Sequence, residues 1–443
     1  MSDRLPNAHL ERLFRETGWT LRQFALRVNR LATERGTPRS YSPQTARAWL
    51  QGHTPRADAR PLIVEALARR LGRPVHPADA GFPAPTDDEA GAPSTVADLV
   101  RLGSDDMSPT RRGIVGAGLF SAALAIPNWP DVVGRMEAAR RDKVRRIGMS
   151  EVHMVTAMTE HISNLDDQFG GRPTRPMAAA LLVNTVAPYL QAEAPESVRK
   201  AMLSAAADLC YLTGYMAVDE GLNGLAQQYY VQALKLAGAA EDHLTYCTTL
   251  RGMSVQAVDL GHSQTAMRLA DAAAAASPQA GPRMRAFLAG QQAHAAALGN
   301  EGKALAYLRE AEVAMEKAEA RSKTFGSYDP PSLAYHVGQV RYAMGDIAGS
   351  IEALQESDRL RPHSFQRSRV RFLSMLAERQ CELGHLEAAC QSWGMAVDIY
   401  PRVQSGRCDR AMRTMHERIR PYRKNQTARD LYERARLVCP APA

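Results

Sequence analysis

Lysine is almost missing from this chain, with 7 Lys against 48 Arg in 443 residues. Such a bias accompanies GC-rich coding, so abundant arginine alone is weak evidence for a nucleic-acid partner. Placement says more. Through residue 85 there are 14 Arg, no Lys and 7 acidic residues, a net of +7 out of the whole chain's +8. The remainder is close to neutral, so a polyanionic partner is expected at the N-terminal segment. Cysteine is sparse as well. Cys210, Cys247, Cys381, Cys390, Cys408 and Cys439 form no CxxC pair and have no His at ligand spacing, which argues against zinc and a disulfide framework. No apolar run approaches the ~20 residues of a bilayer span, and "MSDRLPNAHLERLF" has no signal-peptide apolar core. A cytoplasmic protein with no membrane partner is expected. "GAGLFS" lacks the lysine and preceding strand of a phosphate loop, and its glycines miss the dinucleotide pattern. Asp166 and Asp167 in "LDDQFGG" form an acidic helix end without further carboxylates at ligand spacing. No enzyme, cofactor or metal is therefore expected.

What is present is helical punctuation. Hydrophobic residues make up 45% and charged residues 23%, a globular balance, and the length suits two to four domains. "NAHLERLFRETG" can start on Asn7 and stop at Gly18. "TLRQFALRVNRLATERG" can start on Thr20, bury Leu21, Phe24, Ala25 and Val28, and stop at Gly36. "SPQTARAWLQG" places Ser42 at the N-cap, Pro43 at the first helical position and Gly52 at the end. A fourth helix, "ADARPLIVEALARRLG", completes a small all-α core over residues 1–80.

Gln23-Phe24-Ala25 early in the second helix, and Trp49, Gly52 and Pro55 at the end of the third, resemble the lambda-repressor-like helix-turn-helix family over about residues 5–80. The connection "LATERGTPRSY" is longer than that family's tight turn. The resemblance implies double-stranded DNA as a partner. A helix entering the major groove N-terminus first presents Gln44, Thr45 and Arg47 to base edges. Gln pairs with adenine and Arg with guanine. Ala46, Trp49 and Leu50 form the core side of that helix, while Arg22, Gln23, Arg39, Ser42 and Arg56 stand where phosphates would pass.

From "GFPAPTDDEAGAPST" the composition turns to Pro, Gly, Ala, Ser and acid, marking a linker over 81–147. Within it "SPTRRGIVGAGLFSAALAIP" resembles a twin-arginine export signal. It follows a folded basic segment instead of opening the chain, so a short apolar helix packing on the next domain is expected.

Repeats govern residues 148–437. Aligned on Gly221, Gly261, Gly299, Gly345 and Gly384, small residues recur five positions on (Ala226, Ala266, Ala304, Ser350, Ala389) and twelve positions on (Ala233, Ala273, Ala311, Ser357, Ala396). This resembles the tetratricopeptide repeat and implies an α-solenoid of helix pairs whose crossings need small residues. The family's groove positions, carried over by offset, are Asp208, Tyr211, Tyr215, Arg251, Tyr335, Gln339, Tyr342, Arg371 and Glu378. The third repeat offers only Ala286, Ala289, Ala293 and Ala296 there.

The expectation is an all-α, homodimeric DNA-binding regulator, a repressor, resembling the helix-turn-helix plus tetratricopeptide regulators of GC-rich bacteria, some of which govern secondary metabolism. Its repeats would bind a peptide, small molecule or protein. The alternative is a tetratricopeptide adaptor whose N-terminal helices do not bind DNA.

Overall fold

The computed structural model describes residues 6–34, 38–56, 58–71, 75, 77–82, 95–107, 120–121, 124, 126–127, 129, 133, 146–277, 280–300, 302–318 and 328–439. Among these the protein is all-helical and forms no β-strand; a lone bridge joins Arg146 and Glu193.

Four helices open the chain: α1 (Ala8–Thr17), α2 (Leu21–Glu34), α3 (Pro43–Leu50) and α4 (Arg60–Leu71). Their ends follow the punctuation. Asn7 accepts the Leu10 N–H, and Gly18 closes α1 at φ 67°, the left-handed region that glycine enters without steric cost. Thr20 and Gln23 cap each other's backbone N–H reciprocally at 3.2 and 2.9 Å. Ser42 caps α3 through the Thr45 N–H, with Pro43 following. Phe24, Trp49, Leu10, Leu13, Ile63 and Leu67 form the shared core, Phe24 and Trp49 edge to face at 6.2 Å. The long α2–α3 connection is fixed by one side chain. Asn29 donates to the Tyr41 carbonyl at 2.9 Å and accepts the Tyr41 N–H at 2.7 Å. The stop expected at Gly36 lies outside the described residues.

Inside the segment read as linker stands an unanticipated helix, α5 (Thr95–Met107). Its Val96, Leu99 and Leu102 are buried in the core shared with the helices C-terminal to it. Asp106, fully buried, pairs with Arg175 and accepts from the Tyr229 hydroxyl at 3.0 Å. Most of the apolar run 114–126 lies outside the described residues. Its described members Phe120, Ser121, Leu124 and Ile126 are not helical.

Beyond it helices pair into antiparallel hairpins: α6 (Met149–Phe169) with α7 (Gly171–Leu181), which continues through a π-turn (Leu182–Val186) into α8 (Ala187–Leu190); then α9 (Glu196–Asp219) with α10 (Asn223–Ala240), α11 (His243–Asp259) with α12 (Ser263–Ala275), and α13 (Pro282–Leu298) with α14 (Ala304–Glu316). The series ends with α15 (Pro330–Ala343) and α16 (Ile347–Leu360), α17 (Gln366–Glu382) and α18 (Leu386–Ile399), and α19 (Gly406–Ile419) and α20 (Gln426–Val438). Each hairpin packs on the next in a solenoid-like stack. The small residues five and twelve positions after each turn glycine are at the crossings, all at most 3% exposed. A Cβ on Gly214 would sit 2.9 Å from the Tyr230 ring, which is why the helices can approach so closely there. Four of the five turn glycines have φ between 75° and 86°; at the third, Asn300 takes the left-handed residue instead.

Helix α9 meets the length and composition of a membrane span, with mean hydropathy 1.3 over an 18-residue window, but 78% of that window is buried inside the fold. Its apolar character serves packing on both faces.

The stack bends until its ends touch. Helix α6 packs against α9 and also against α17. The Gln404 N–H donates to the Phe169 carbonyl at 2.7 Å, Arg172 bridges Glu220 at 2.8 Å and Asp409 at 2.7 Å, and the Gly406 N–H reaches Glu220 at 2.9 Å. Gly170 lies against the Gln404 carbonyl, where any Cβ would collide.

Candidate functional site

Two surfaces carry the residues singled out from sequence. On α3, Gln44 and Arg47 are exposed on the outer face while Ala46 and Trp49, 0% and 5% exposed, lock the inner face into the core. This follows from helical period: positions 46 and 49 share a face that 44 and 47 do not. Thr45 is half-buried, its hydroxyl 3.1 Å from that of Ser42. Around them Arg22 and Arg56 are exposed, Arg39 is ion-paired with Asp58 at 2.8 Å, and Gln23 is folded back on Thr20. Exposed ion pairs of this kind are weak, at most about 1 kcal/mol, so Arg39 can be recruited by a stronger anion.

The second surface is interior. The curved stack lines a partly open cavity of about 590 Å³, and the helical residues that line it come from the first helix of each pair. Tyr211, Tyr215, Arg251, Tyr335 and Arg371 are among them. Asp208, Gln339, Tyr342 and Glu378 are not. Asp208 accepts from Thr245 at 2.9 Å, and burial pushes its carboxyl up to about 7. Gln339 donates to the Tyr335 hydroxyl at 2.9 Å and accepts from Arg379. Tyr342 donates to Glu382 at 2.9 Å beneath the Arg379 guanidinium, and burial raises Glu378.

The third repeat's contribution differs from the expected alanine floor. Ala286, Ala289, Ala293 and Ala296 are at most 2% exposed in helix packing, and the cavity wall there is Phe287, Gln291 and His294. Those three stand at i, i+4 and i+7. They are among the few large side chains in "MRAFLAGQQAHAAAL", a signal that the repeat offsets passed over.

Charge is unevenly satisfied around this cavity. Arg367, 2% exposed, meets Asp166 at 2.9 Å, Asp167 at 3.0 Å and Asp219 at 3.7 Å, and donates to the Tyr215 hydroxyl at 3.3 Å. The acidic pair that ends α6 therefore serves an arginine from the far end of the stack. Among the described residues no group of His, Cys, Asp and Glu could hold a metal ion. Arg407 pairs with Asp259. Burial pushes Asp166 up to about 7, with Asp167 and Asp219 adding to the effect and Arg367 opposing it. Burial pushes His294 down to about 4, Arg251 and Arg379 reinforcing and Asp259 opposing, and drives His336 well below its usual range, so both imidazoles are neutral. Burial raises the Tyr215 phenol, but Arg367, Arg407 and Arg371 overcome it and hold the group below its usual value.

Residues 10–83, which run from within α1 to beyond α4, match the family model described as the SP15 N-terminal domain. No curated protein matches the chain.

Proposed function

We propose that this chain is a cytoplasmic, DNA-binding transcriptional regulator, a repressor, that reads duplex DNA through α3 as a lambda-repressor-like helix-turn-helix protein. Its tetratricopeptide-like repeats bind a ligand and pair two copies. The observation that carries the reading is the two-sidedness of α3: Gln44 and Arg47 outward, Ala46 and Trp49 inward, on a segment holding +7 of the chain's +8 charge. Bases are read by such side chains, and phosphates by the surrounding Arg22, Arg39 and Arg56. A dimer would place two heads on half-sites about 34 to 36 Å apart.

The test is selection of duplexes from random sequence by the full-length chain, followed by anisotropy titration against salt. A selected palindromic or direct-repeat motif with affinity falling steeply in salt is expected. Recovery of no motif, with binding no tighter than to bulk duplex, refutes the reading.

A second reading is favoured by a specific observation. Thr45, Gln23 and Arg39 spend polar groups within the head, on Ser42, Thr20 and Asp58. An adaptor with a non-binding head would need nothing more of them.

A further inference from the structure

We propose that the partly open cavity lined by the stack binds a small organic acid, its anionic group held by Arg361 and Arg371 and its flat apolar body lying along Tyr335 and Phe372 toward Arg251. This deepens the reading of the repeats as a sensor, on which it rests for its consequence at DNA.

Five arginines line the cavity, and they divide sharply. Arg367 and Arg407 are neutralised by Asp166, Asp167, Asp219 and Asp259. Arg251, Arg361 and Arg371 make no ion pair with any described residue. Asp329 is the strongest counter-charge felt by Arg361, but that carboxylate is engaged in capping α15 through the Ser332 N–H at 3.0 Å and hydroxyl at 2.5 Å. Arg361 also has a buried Nε without a hydrogen-bond partner, as does Arg251. Arg361 donates only to the neutral Ser357 hydroxyl, at 3.3 Å, and burial works against its charge; a part-buried guanidinium without a carboxylate partner is costly unless an anion completes it.

The positions specify more than charge. The Arg361 and Arg371 guanidiniums lie 4.7 and 5.8 Å from the centroid of one ring, Phe372, so both border that ring. Tyr335 stacks on the same ring at 4.5 Å with an interplanar angle of 17°, and His294 meets Tyr335 edge to face at 6.3 Å. At the far end Arg251 covers Phe287 at 4.1 Å. An aromatic shelf with cations at both ends and neutral imidazoles between them matches a planar acid. The volume of about 590 Å³ falls in the range of small-ligand pockets and is too small for a folded partner. Guanidinium forks select carboxylate or phosphate through paired N–H donors.

The experiment uses the full-length chain without DNA and two probes of one shape, 2-naphthoate and 2-naphthamide, titrated by intrinsic fluorescence and calorimetry. Saturable binding of the acid tighter than about 1 mM, with the amide at least roughly tenfold weaker, is expected. Arg361→Gln and Arg371→Gln should each weaken the acid by about tenfold while leaving the amide unchanged. Arg413→Gln, on an exposed site, should bind as wild type. Circular dichroism melts show that each variant is folded, and the acid and amide comparison on wild type decides even if one variant is not. Equal binding of acid and amide, no saturable binding of the acid, or folded Arg variants with unchanged affinity would overturn the proposal. An acid that binds but leaves duplex affinity unaltered upholds the site and refutes the sensor. A chain that binds no specific duplex refutes the regulator and leaves the site standing.

Discussion

Replacing Arg367 by Met tests whether the stack is a closed body or an open superhelix whose ends merely lie near each other. The guanidinium is 2% exposed and joins α17 to α6 and α9 through three carboxylates at 2.9, 3.0 and 3.7 Å, and its Nε donates to the Asp166 carbonyl at 3.2 Å. Met fills similar space but supplies no cation. It leaves Asp166 and Asp219 buried, with Asp167 beside them, without their cation, and removing one partner of a buried ionic cluster costs about 3 to 5 kcal/mol. With roughly 2 to 4 °C of Tm per kcal/mol for a body of this size, the variant should melt about 6 to 20 °C below wild type.

The pH dependence carries a sign. Asp166 is already pushed up to about 7 in the folded chain, chiefly by burial, against about 3.8 when unfolded. A carboxyl raised on folding contributes stability that is complete below about pH 4 and is lost as pH rises to about 7. Without Arg367 the three carboxylates repel more strongly and the folded value climbs further. The deficit of Arg367→Met should therefore be larger at pH 8 than at pH 5, and Asp166→Asn added to Arg367→Met should recover part of it. Differential scanning fluorimetry at the two pH values reads both effects. A variant within about 1 °C of wild type at both pH values would show that the contact closes nothing, since even a weak buried pair exceeds that.

Gln44→Ala should relax discrimination among selected duplexes, whereas Arg22→Ala should weaken all of them alike and lower the salt slope by about one unit, both read by anisotropy. Trp49→Ala removes a ring that touches Phe24 and Tyr41; it should unfold the head at a cost of roughly 3 to 5 kcal/mol, seen as lost protection in amide exchange over residues 8–71. Ala266→Leu or Ala389→Leu overpacks a fully buried crossing and should cost about 1 to 3 kcal/mol in denaturant melts, while Tyr342→Ala at a 38% exposed position should cost far less. Gln227→Leu removes both hydrogen bonds to the Ser121 backbone, at 2.8 and 3.0 Å; faster exchange of the Ser121 amide is expected, and an unchanged rate would refute the contact.

Local chemistry was legible in the sequence wherever one residue decides one geometry. Asn7, Gly18, Ser42 and Pro43 each do so, and the helix ends follow them. The spacing of Gly221, Gly261, Gly345 and Gly384 with small residues likewise fixes turns and crossings. What escaped was set by contacts far apart in the chain. Helix α5 lies in a Pro- and Ala-rich neighbourhood, and its Asp106 makes sense only with Arg175 and Tyr229 present. Asp166 and Asp167 read as an idle acidic helix end because their partner, Arg367, is about two hundred residues away. Offset alignment located Tyr211, Tyr215, Arg251, Tyr335 and Arg371 on the cavity wall but missed Phe287 and His294. Small residues dominate that repeat, so its register could not be told from composition.

Helix α11 links the two surfaces. Arg251 and Asp259 face the cavity, while from the same helix the Tyr246 hydroxyl donates to the Pro127 carbonyl at 2.8 Å and His243 stacks on Trp129 at 3.7 Å. Pro127 and Trp129 follow shortly after Phe120 in the same segment of the chain. That segment is gripped from both sides. Gln227 of α10 holds the Ser121 backbone and His262 stacks on Phe120 at 5.0 Å, while Glu65 of α4 accepts from the Ser121 hydroxyl at 3.0 Å and Arg69 donates to the Phe120 carbonyl at 3.3 Å. The head thus rests on the outer side of the stack through a strap anchored on a helix whose inner side is cavity wall. A ligand shifts an equilibrium only by its differential affinity for two states. Here one helix carries both Arg251 and the strap's anchor, so an occupant of the cavity that drew Arg251 inward would act on both. Coupling of about 1 to 3 kcal/mol is ordinary for such arrangements. That is comparable to the few hydrogen bonds, each worth roughly 0.5 to 1.5 kcal/mol, that hold the strap between head and stack. If the cavity takes the proposed acid, the coupling needed to loosen the head would be of the same order as those hydrogen bonds.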